Sequence, residues 1–333
     1  MRVLYITFSL NACGGVRILA EHLSRLTERG HTCYLFALNG DMSIDWMPTN
    51  FKVIGKDDLK SVAKKADVIV ATEANTVRVV MGIEVQARKF LFCQMRESLF
   101  FWETNPEWRR QVEKDYQQMK GILQPIVISQ WLKDFLEEEY GYEDVPIVPN
   151  GVNERMFFPD PLWPNGGKPR LLIEGHGMNE AKDLHHMSYQ VVDMYRKNVE
   201  PVELWGFSQY PPMGEWDKYW LLPSQDDIRR IYSSCDVLVK ASRYEGRSCV
   251  DVEAMACGCA VVRAIDQGDD DLVDGYNCLK VHYGDAQGMY DNLKLVLQQP
   301  ALRQRLIDGG LEYAREHLGW DDKISILEAI YAN

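Results

Sequence analysis

Short apolar runs rich in β-branched residues alternate with helical patterns along this chain, and the alternation begins twice. Residues 1–8 have the pattern of a strand, and a glycine pair and a helix to about Arg29 follow. The same order restarts at residues 170–177, where an apolar run leads into glycines. Repeated strand-then-helix units predict parallel sheets covered by helices. A chain of 333 residues accommodates two such domains, and the proline- and glycine-rich residues 159–169 indicate the linker between them.

The bulk properties exclude several classes of protein. The formal net charge is −12, so the field of the molecule repels polyanions and disfavours nucleic acid as a partner. No run approaches the length of about 18 apolar residues that a membrane span needs, so we expect none. The eight cysteines show no CxxC spacing and indicate reduced thiols. We therefore expect a cytoplasmic protein, and a peripheral location at the membrane stays open.

Residues 237–259 combine a strand, a glycine-containing loop and a helix. The apolar start of this segment predicts a strand of a parallel sheet, and ligands of such sheets bind at the carboxyl ends of the strands. Gly246 frees the backbone for a tight turn before a helix over residues 248–256. Amides without helical partners attract an anion such as a diphosphate at such a helix start. Three amides would face the ligand here, those of Arg247, Ser248 and Cys249.

Two carboxylates flank this predicted anion site. Glu245 lies in the loop before the amides, and Glu253 lies one helical turn, about 6 Å, beyond Cys249 on roughly the same face. A carboxylate binds phosphate poorly but accepts hydrogen bonds from neighbouring hydroxyls. One glutamate on each side therefore indicates sugar hydroxyls on each side of a diphosphate. The alternative is that both are ordinary charges near a helix start.

The segment EGRSCVDVEAMACGCAVV, which contains Glu245 and Glu253, resembles the E-x7-E segment of the retaining GT-B glycosyltransferases of family four. In that family the first glutamate contacts the transferred sugar and the second contacts the ribose of the nucleotide. The resemblance implies an α/β protein with two Rossmann-like parallel-sheet domains that face each other across a cleft. It assigns three parts of the chain, an acceptor-binding domain at 1–160, a donor domain at 169–316 and a C-terminal helix at 317–333 that crosses back to the first domain.

Two segments of the first half carry the same resemblance. Gly14 and Gly15 precede the first predicted helix and are similar to the GGV loop of the family. Glycines let a ligand approach the backbone, and the helix start behind them favours phosphate, so we expect both residues to contact the donor. The sequence PNGVN at residues 149–153 is similar to the PNGVD segment that ends the first domain of the family.

The second half contributes three more donor-side residues. Lys182 matches a family lysine that holds the donor diphosphate, although composition alone would make it a surface lysine. The arginine that accompanies this lysine in the family is replaced here by a glycine or by His176, which is a weak substitute. Leu221, which follows a predicted strand, is also assigned to the donor.

A cluster of aromatic and polar residues follows the predicted strand at residues 89–93. Aromatic faces stack on sugar rings, and Gln94, Arg96 and Glu97 offer hydrogen-bonding groups, so this cluster is the candidate acceptor site. Aromatic residues beside a strand also occur in ordinary cores. Related enzymes often carry a histidine near this position, and its absence leaves the acceptor chemistry open.

The acidic residues Asp269, Asp270 and Asp271 permit two interpretations. They could form a metal-binding DxD motif, because hard cations prefer carboxylate oxygens. They also fall where the family has a glycine-containing acidic loop before a helix, and acids at a helix start need no metal. We predict that no metal and no cofactor is required, since the nucleotide sugar is a co-substrate.

The combined prediction is a retaining glycosyltransferase that moves a sugar from a nucleotide-sugar donor to a hydroxyl of a glycan, glycolipid or other small acceptor. Retention is an implication of the family resemblance. Lys182 and the amides of both glycine-containing loops would stabilise the charge of the leaving diphosphate. Two alternatives stay open: a GT-B sugar phosphorylase, and a non-catalytic protein that binds sugar nucleotides or glycans.

Overall fold

The computed structural model describes residues 1–99, 105–163, 166–175, 186–212 and 214–333. The chain forms two compact units, one of residues 1–150 together with 321–333 and the other of residues 151–320. Residues 151–160, assigned from the sequence to the first domain, lie in the second unit.

Strands and helices alternate through the first 150 residues. The strands are β1 (Arg2–Thr7), β2 (Thr32–Ala37), β3 (Lys52–Ile54), β4 (Val68–Ala71), β5 (Arg88–Cys93) and β6 (Gln124–Val127). The helices are α1 (Gly14–Glu28), α2 (Lys56–Ala63), α3 (Ala74–Met81), α4 (Pro106–Gln118) and α5 (Gln130–Tyr140), with a short 3₁₀ helix at Glu97–Leu99. The sheet order is β3-β2-β1-β4-β5-β6 with parallel neighbours, which is the Rossmann order.

The second unit repeats this architecture. Its strands are β7 (Arg170–Glu174), β8 (Glu203–Ser208), β9 (Lys218–Leu221), β10 (Val237–Tyr244), β11 (Ala260–Gln267) and β12 (Leu279–Val281). Its helices are α6 (Met187–Asn198), α7 (Gln225–Ser234), α8 (Cys249–Ala256), α9 (Ala286–Gln298) and α10 (Pro300–His317). The sheet order is β12-β11-β10-β7-β8-β9, again with parallel neighbours. If β7 is taken as the first strand and the sheet is read from the β9 edge, this order is the same as that of the first sheet.

The central strands of both sheets are buried on both faces. Every residue of β4 is buried, and so are the first six residues of β10 and of β11. This burial explains why the strands are mostly apolar, because a parallel sheet covered by helices has no solvent-exposed face. The predicted α/β class with two parallel sheets is confirmed.

Helix α11 (Asp321–Ala332) follows the second unit in the chain but belongs to the first. The hydroxyl of Tyr331 lies 2.7 Å from the hydroxyl of Tyr5 on β1, and both side chains are buried. Near the start of β2, His31 Nε2 lies 2.7 Å from Glu328 Oε1. These contacts attach α11 to β1 and to the loop before β2.

The chain enters and leaves the second unit at neighbouring points. A Cβ atom at Gly151 would lie only 2.6 Å from the indole ring of Trp320, so glycine is needed for this contact. The backbone N–H of Val152 donates a 2.8 Å hydrogen bond to the carbonyl of Leu318. The predicted PNGVN segment therefore forms the entry to the second unit.

Each sheet reverses its winding at one point, between β1 and β4 in the first unit and between β7 and β10 in the second. Open α/β sheets bind ligands beside the carboxyl ends of the strands at such a point. Over the described residues, no helix has the length and apolar character needed to span a membrane.

Candidate active site

The predicted strand-loop-helix segment lies beside the reversal point of the second sheet. Its helix, α8, begins at Cys249, one residue later than predicted. The backbone N–H of Glu245 donates a 3.1 Å hydrogen bond to the carbonyl of Gln267, which ties the loop after β10 to the end of β11. The next residue, Gly268, has a φ of +85°, and a Cβ atom there would overlap the carbonyl oxygen of Glu245. The position of the loop therefore depends on a glycine that the sequence analysis did not single out.

A buried hydroxyl lies at the start of α8. Ser248 is the N-cap residue, yet its side chain makes no capping hydrogen bond. Its Oγ atom is buried and has no hydrogen-bond partner among the residues that the structure describes. Burying a polar group in this way is costly unless a ligand completes the contact. Ser248 and the first backbone amides of α8 are thus suited to an anionic oxygen, as predicted for the loop of Gly246, Arg247 and Cys249.

Both predicted carboxylates are buried on this segment. Glu245 is 8% exposed and Glu253 is 4% exposed. Each lies four residues from Cys249, one before α8 and one within it. Glutamate is seldom buried so deeply unless it is paired or hydrogen-bonded. The structure thus places two buried carboxylates on either side of the start of α8.

Two buried cations next to Glu245 were missed by the sequence analysis. Lys240 on β10 is 4% exposed and lies 3.9 Å from Glu245 Oε1, and Arg263 on β11 is fully buried and lies 3.6 Å from the same oxygen. Each cation also contacts a second carboxylate, Glu174 at 2.5 Å from Lys240 and Asp251 at 2.8 Å from Arg263. The available signal was a single charged residue inside each of two apolar strands.

The acidic run after β11 is engaged by cations of the same unit. Asp271 forms a two-pronged ion pair with Arg247 and accepts a 2.9 Å hydrogen bond from the hydroxyl of Tyr313. Asp269 pairs with Lys280 at 2.5 Å. The helix expected after this run is absent from the described structure, where residues 269–278 form turns that lead to β12.

Three predicted donor residues are less informative. Lys182 and His176 lie outside the described residues. Leu221 is the last residue of β9 and is 52% exposed. No group of three potential metal-ligating side chains occurs among the described residues.

In the first unit, Gly15 and Gln94 are neighbours. Helix α1 begins at Gly14 with Cys13 as its N-cap. Gln94 follows β5, and its Nε2 atom donates a 3.5 Å hydrogen bond to the carbonyl of Gly15. A Cβ atom on Gly15 would lie 3.5 Å from the same nitrogen, which is an ordinary contact. The structure thus joins the predicted glycine loop and one predicted acceptor residue.

Glu97 lies with a second carboxylate at the reversal point of the first sheet. Its Oε2 atom accepts a 2.6 Å hydrogen bond from the backbone N–H of Ala74, the first residue of α3. Glu73, which the sequence analysis missed, accepts hydrogen bonds from the hydroxyl of Thr7 at 3.0 Å and the N–H of Phe8 at 2.5 Å. The signal for Glu73 was a polar residue just after the apolar strand β4.

Burial, and then repulsion from Glu73, raise the pKa of Glu97 to about 8, although the Ala74 N–H acts in the opposite direction. A carboxyl group with such a pKa can carry or exchange a proton near neutral pH. Glu97 therefore has chemical properties beyond those of an ordinary hydrogen-bonding residue.

Arg96 has well-defined partners on α5. Its guanidinium forms two hydrogen bonds, of 2.6 and 2.8 Å, with the carboxylate of Glu139. It also lies over the ring of Phe135, 4.3 Å from the ring centroid. These contacts hold the loop after β5 against α5, and the acceptor role of Arg96 stays a prediction.

The fold is similar to that of solved glycosyltransferases over the whole chain. Sucrose-phosphate synthase from Thermosynechococcus elongatus has a TM-score of 0.80 and 15% identity, with 100% of this chain and 98% of that chain covered. HepE from Anabaena, solved in complex with UDP-glucose, has a TM-score of 0.78 and 14% identity, with both chains fully covered. These similarities show that the chain has the GT-B fold, as predicted.

A family model matches part of the second unit. Residues 198–299, which include both buried glutamates, match the family described as Glycosyl transferases group 1. This match lies in the part of the chain where the resemblance to the family was strongest, and it agrees with that resemblance.

Two curated relatives are glycosyltransferases. An uncharacterized glycosyltransferase of Methanocaldococcus jannaschii is 22% identical over 221 residues, which are 62% of this chain and 58% of the relative. The lipopolysaccharide core biosynthesis glycosyltransferase LpsE of Rhizobium meliloti is 35% identical over 89 residues, 26% of each chain. The matches therefore span less than two thirds of the length of either relative.

Proposed function

We propose that this chain is a retaining, metal-independent glycosyltransferase that moves a sugar from a nucleotide-sugar donor to a hydroxyl of a glycan, glycolipid or other small acceptor. The observation that carries the proposal is the pair of buried carboxylates, Glu245 and Glu253, on either side of the start of α8. The family match and the two glycosyltransferase relatives support it. Retention follows from the family resemblance.

The start of α8 would hold the diphosphate of the donor. The buried hydroxyl of Ser248 and the first amides of the helix supply hydrogen-bond donors, and the helix dipole favours negative charge. Glu245 and Glu253 would accept hydrogen bonds from hydroxyl groups on the two sides of the diphosphate, Glu245 from the sugar and Glu253 from the ribose. The UDP-glucose in the HepE structure supports a nucleotide sugar as the class of donor.

In the proposed reaction, the acceptor oxygen forms a bond to the anomeric carbon while the bond from that carbon to the β-phosphate oxygen breaks. The electron pair of the broken bond leaves with the nucleoside diphosphate, whose oxygen takes up the proton of the acceptor hydroxyl, and retention requires that the acceptor attacks on the same face of the sugar. Positive charge develops on the sugar ring, where Glu245 would stabilise it, and negative charge develops on the diphosphate, where Ser248 and the α8 amides would. Lys182 and His176 keep the diphosphate roles that the resemblance predicts.

Metal independence is part of the proposal because the acidic run has other partners. Asp271 pairs with Arg247 and Asp269 pairs with Lys280, so a metal ion would have to displace both cations. The groups that stabilise the negative charge of the leaving diphosphate would then come from the protein. The amides of α8 and Lys182 are the candidates.

On the acceptor side, Gln94 and Glu97 are the stronger candidates of the first unit. Both follow β5 at the carboxyl edge of the sheet, and the raised pKa of Glu97 lets this carboxyl group exchange a proton near neutral pH. Arg96 is already paired with Glu139, so we expect it to orient the loop in addition to any acceptor contact.

We propose a cytoplasmic location because all eight cysteines are free thiols. Several of them are close in sequence, as at Cys257 and Cys259, yet both are buried without a disulfide. Free thiols persist in reducing compartments. A peripheral location at the membrane is compatible with a glycolipid acceptor.

Thermal shift measurements with UDP-, GDP-, ADP- and dTDP-glucose test the class of donor. A ligand present at 100 times its Kd stabilises the folded state by about 2.7 kcal/mol, so at least one of these nucleotides should raise the Tm clearly. Product analysis with inorganic phosphate in place of an acceptor distinguishes a transferase from a phosphorylase. No stabilisation by any nucleotide sugar would contradict the proposal.

Glu245→Gln tests the sugar-side carboxylate. The variant keeps the size and one acceptor oxygen but loses the charge, so nucleoside diphosphate binding should persist while turnover falls by about 10²–10³-fold. Glu21→Gln, at a residue that is 5% exposed and lies on α1, is the matched control for a buried glutamate. Normal turnover of Glu245→Gln, or equal losses of binding and turnover, would show that this assignment is wrong.

A further inference from the structure

Lys240 and Arg263 form a buried charged group around Glu245 at the reversal point of the second sheet. We propose that both are positioning residues that hold the Glu245 carboxylate in place for the donor sugar, an inference that rests on the proposed function. Oxygen Oε1 of Glu245 lies 3.9 Å from the Lys240 ammonium and 3.6 Å from the Arg263 guanidinium. One carboxylate oxygen is therefore held between cations from two adjacent strands.

The geometry of Arg263 indicates that one of its nitrogens serves Glu245. The Nε atom donates to Asp251 Oδ2 at 2.8 Å, and one terminal nitrogen donates to the carbonyl of Lys240 at 3.0 Å. The other terminal nitrogen faces Glu245 Oε1 and has no hydrogen-bond partner among the described residues, although the side chain is fully buried. A buried guanidinium donor needs a partner, and a movement of well under an ångström would bring this nitrogen within hydrogen-bond distance of Glu245 Oε1.

The cations are not required by the sheet itself. Their neighbours on the two strands, Val239, Ala241, Val262 and Ala264, are apolar and buried. Removing charged groups from water is expensive, and apolar replacements of buried ion pairs are often as stable or more stable. A role in the site accounts for the cations better than a role in stability.

The charge balance of the group fits a role at Glu245. Glu174 and Asp251 each make a short contact with one cation, so these four charges cancel and also fix the two cations in place. Glu245 then contributes the one negative charge of the group, and its separations from the cations are longer than direct hydrogen bonds. Such an arrangement restrains the carboxylate electrostatically without a short hydrogen bond from either cation to Oε1.

The test replaces one ion pair at a time by apolar residues. The double variant Arg263→Met with Asp251→Leu removes both charges of one ion pair together, so the fold should persist with an unchanged or higher Tm. Glu245 loses one of its two cations, and a misplaced catalytic carboxylate should lower kcat by about 10²-fold. The readout is hydrolysis of UDP-, GDP-, ADP- or dTDP-glucose, whichever raises the Tm of the wild type, with water as the acceptor.

Three further variants separate positioning from folding. Lys240→Met with Glu174→Leu removes the other pair and should lower kcat in the same way. Arg263→Lys keeps the positive charge and should retain most of the wild-type kcat that the Arg263→Met with Asp251→Leu variant loses. The control is Arg170→Met with Glu203→Leu, which removes a 3.1 Å ion pair at the opposite, amino-terminal end of the same sheet and should change the Tm but not kcat.

The expected result is a loss of kcat with the Kd of the free nucleoside diphosphate within about twofold of wild type. The inference is overturned if both double variants fold and hydrolyse the donor at the wild-type rate, if kcat and diphosphate affinity fall together, or if neither folds, which would make the cations structural. Failure of the proposed function looks different. The wild type would then bind none of the four nucleotides, or Glu245→Gln would retain full activity, and the inference would fall with it.

Discussion

Glu253 is the residue that should report on the nucleotide without affecting the sugar. It is 4% exposed on α8, and we expect its carboxylate to accept hydrogen bonds from the ribose. Glu253→Ala should weaken binding of the free nucleoside diphosphate by about 1–3 kcal/mol, the usual cost of one charged hydrogen-bonding group. Isothermal titration calorimetry measures this directly. Glu312→Ala, at an exposed glutamate of α10, is the control, and an unchanged affinity in folded Glu253→Ala would remove Glu253 from the ribose site.

Glu97 should make the first unit less stable as the pH rises. In the folded state its pKa is about 8, whereas the ordinary value of 4.5 applies after unfolding. At pH values between these two pKa values, the Glu97 carboxyl is ionised in the unfolded chain but protonated in the folded chain. The free energy of unfolding therefore falls as the pH rises from 4.5 to about 8. Glu97→Gln lacks this group and should gain stability relative to wild type over that range.

Urea denaturation at several pH values from 5 to about 8.5 measures the effect, because the difference between the variant and the wild type isolates the one group. Glu73→Gln is the informative companion, since it removes the repulsion that helps to raise the pKa of Glu97. Its pH dependence should lie between the other two. A constant difference between Glu97→Gln and wild type would contradict the assigned pKa.

At the scale of residues, the sequence predicted the carboxylates but not what surrounds them. Glu245 and Glu253 follow from their spacing around a helix start and from the family resemblance. Lys240 and Arg263 each gave only a local signal, one charge inside an apolar strand, and their common location follows only from the pairing of β10 with β11. The spacing of residues along the sequence does not show which strands are neighbours or which of their residues lie side by side.

Among the secondary-structure elements, the end of β11 determines where the Glu245 loop lies. Gly268→Ala should strain the backbone, which has a φ of +85°, and should also push the new methyl group into the carbonyl of Glu245. The left-handed conformation alone costs about 1–2 kcal/mol for a residue with a side chain. We therefore expect a lower Tm together with a lower rate of donor turnover.

Gly275→Ala is a matched control for this prediction. Gly275 also has a positive φ, of +75°, but a Cβ atom there would meet nothing within 4 Å. It should show the loss of stability without the loss of turnover. Equal effects of the two alanine variants on turnover would show that Gly268 does not position the Glu245 loop.

The elements themselves were predictable where local sequence decides them. Helix α11 begins at Asp321, within the predicted segment 317–333, and α8 starts one residue from the predicted position, because apolar periodicity and glycine at the helix end are local signals. The prediction of a helix after the acidic run was wrong. Asp269 and Asp271 bind Lys280 and Arg247, which belong to other segments, and these tertiary contacts override the local preference.

For the whole molecule, we expect donor turnover to survive removal of divalent ions. The reason is that the acidic side chains most similar to a metal motif already neutralise cations of the protein. Assays in excess EDTA, with and without added Mg²⁺ or Mn²⁺, measure this. Complete loss of activity that manganese or magnesium restores would make Asp269 and Asp271 metal ligands.

The repeated strand-then-helix pattern was sufficient to predict parallel sheets, because parallel strands need helical crossovers. Two sheets were predicted because each half of the sequence begins with a strand and a glycine-containing loop. The sequence did not reveal the strand order or the buried charges at the reversal points. Both depend on which strands become neighbours, and that is settled by packing over long separations in the chain. The acceptor is the least predictable part, since only Gln94, Arg96 and Glu97 were available to indicate it.

The return of α11 to the first unit has a consequence for how the protein is made. The ribosome synthesises residues 151–320 before it reaches the helix that carries Tyr331, so the nascent first unit must wait without its last helix while the second unit emerges. During that interval the surface of β1 that α11 later covers is without the helix, and the Tyr5 hydroxyl lacks its contact with Tyr331. Synthesis therefore favours early completion of the second unit, and a frameshift or premature stop near residue 320 would damage the first unit, although most of that unit is encoded at the other end of the gene.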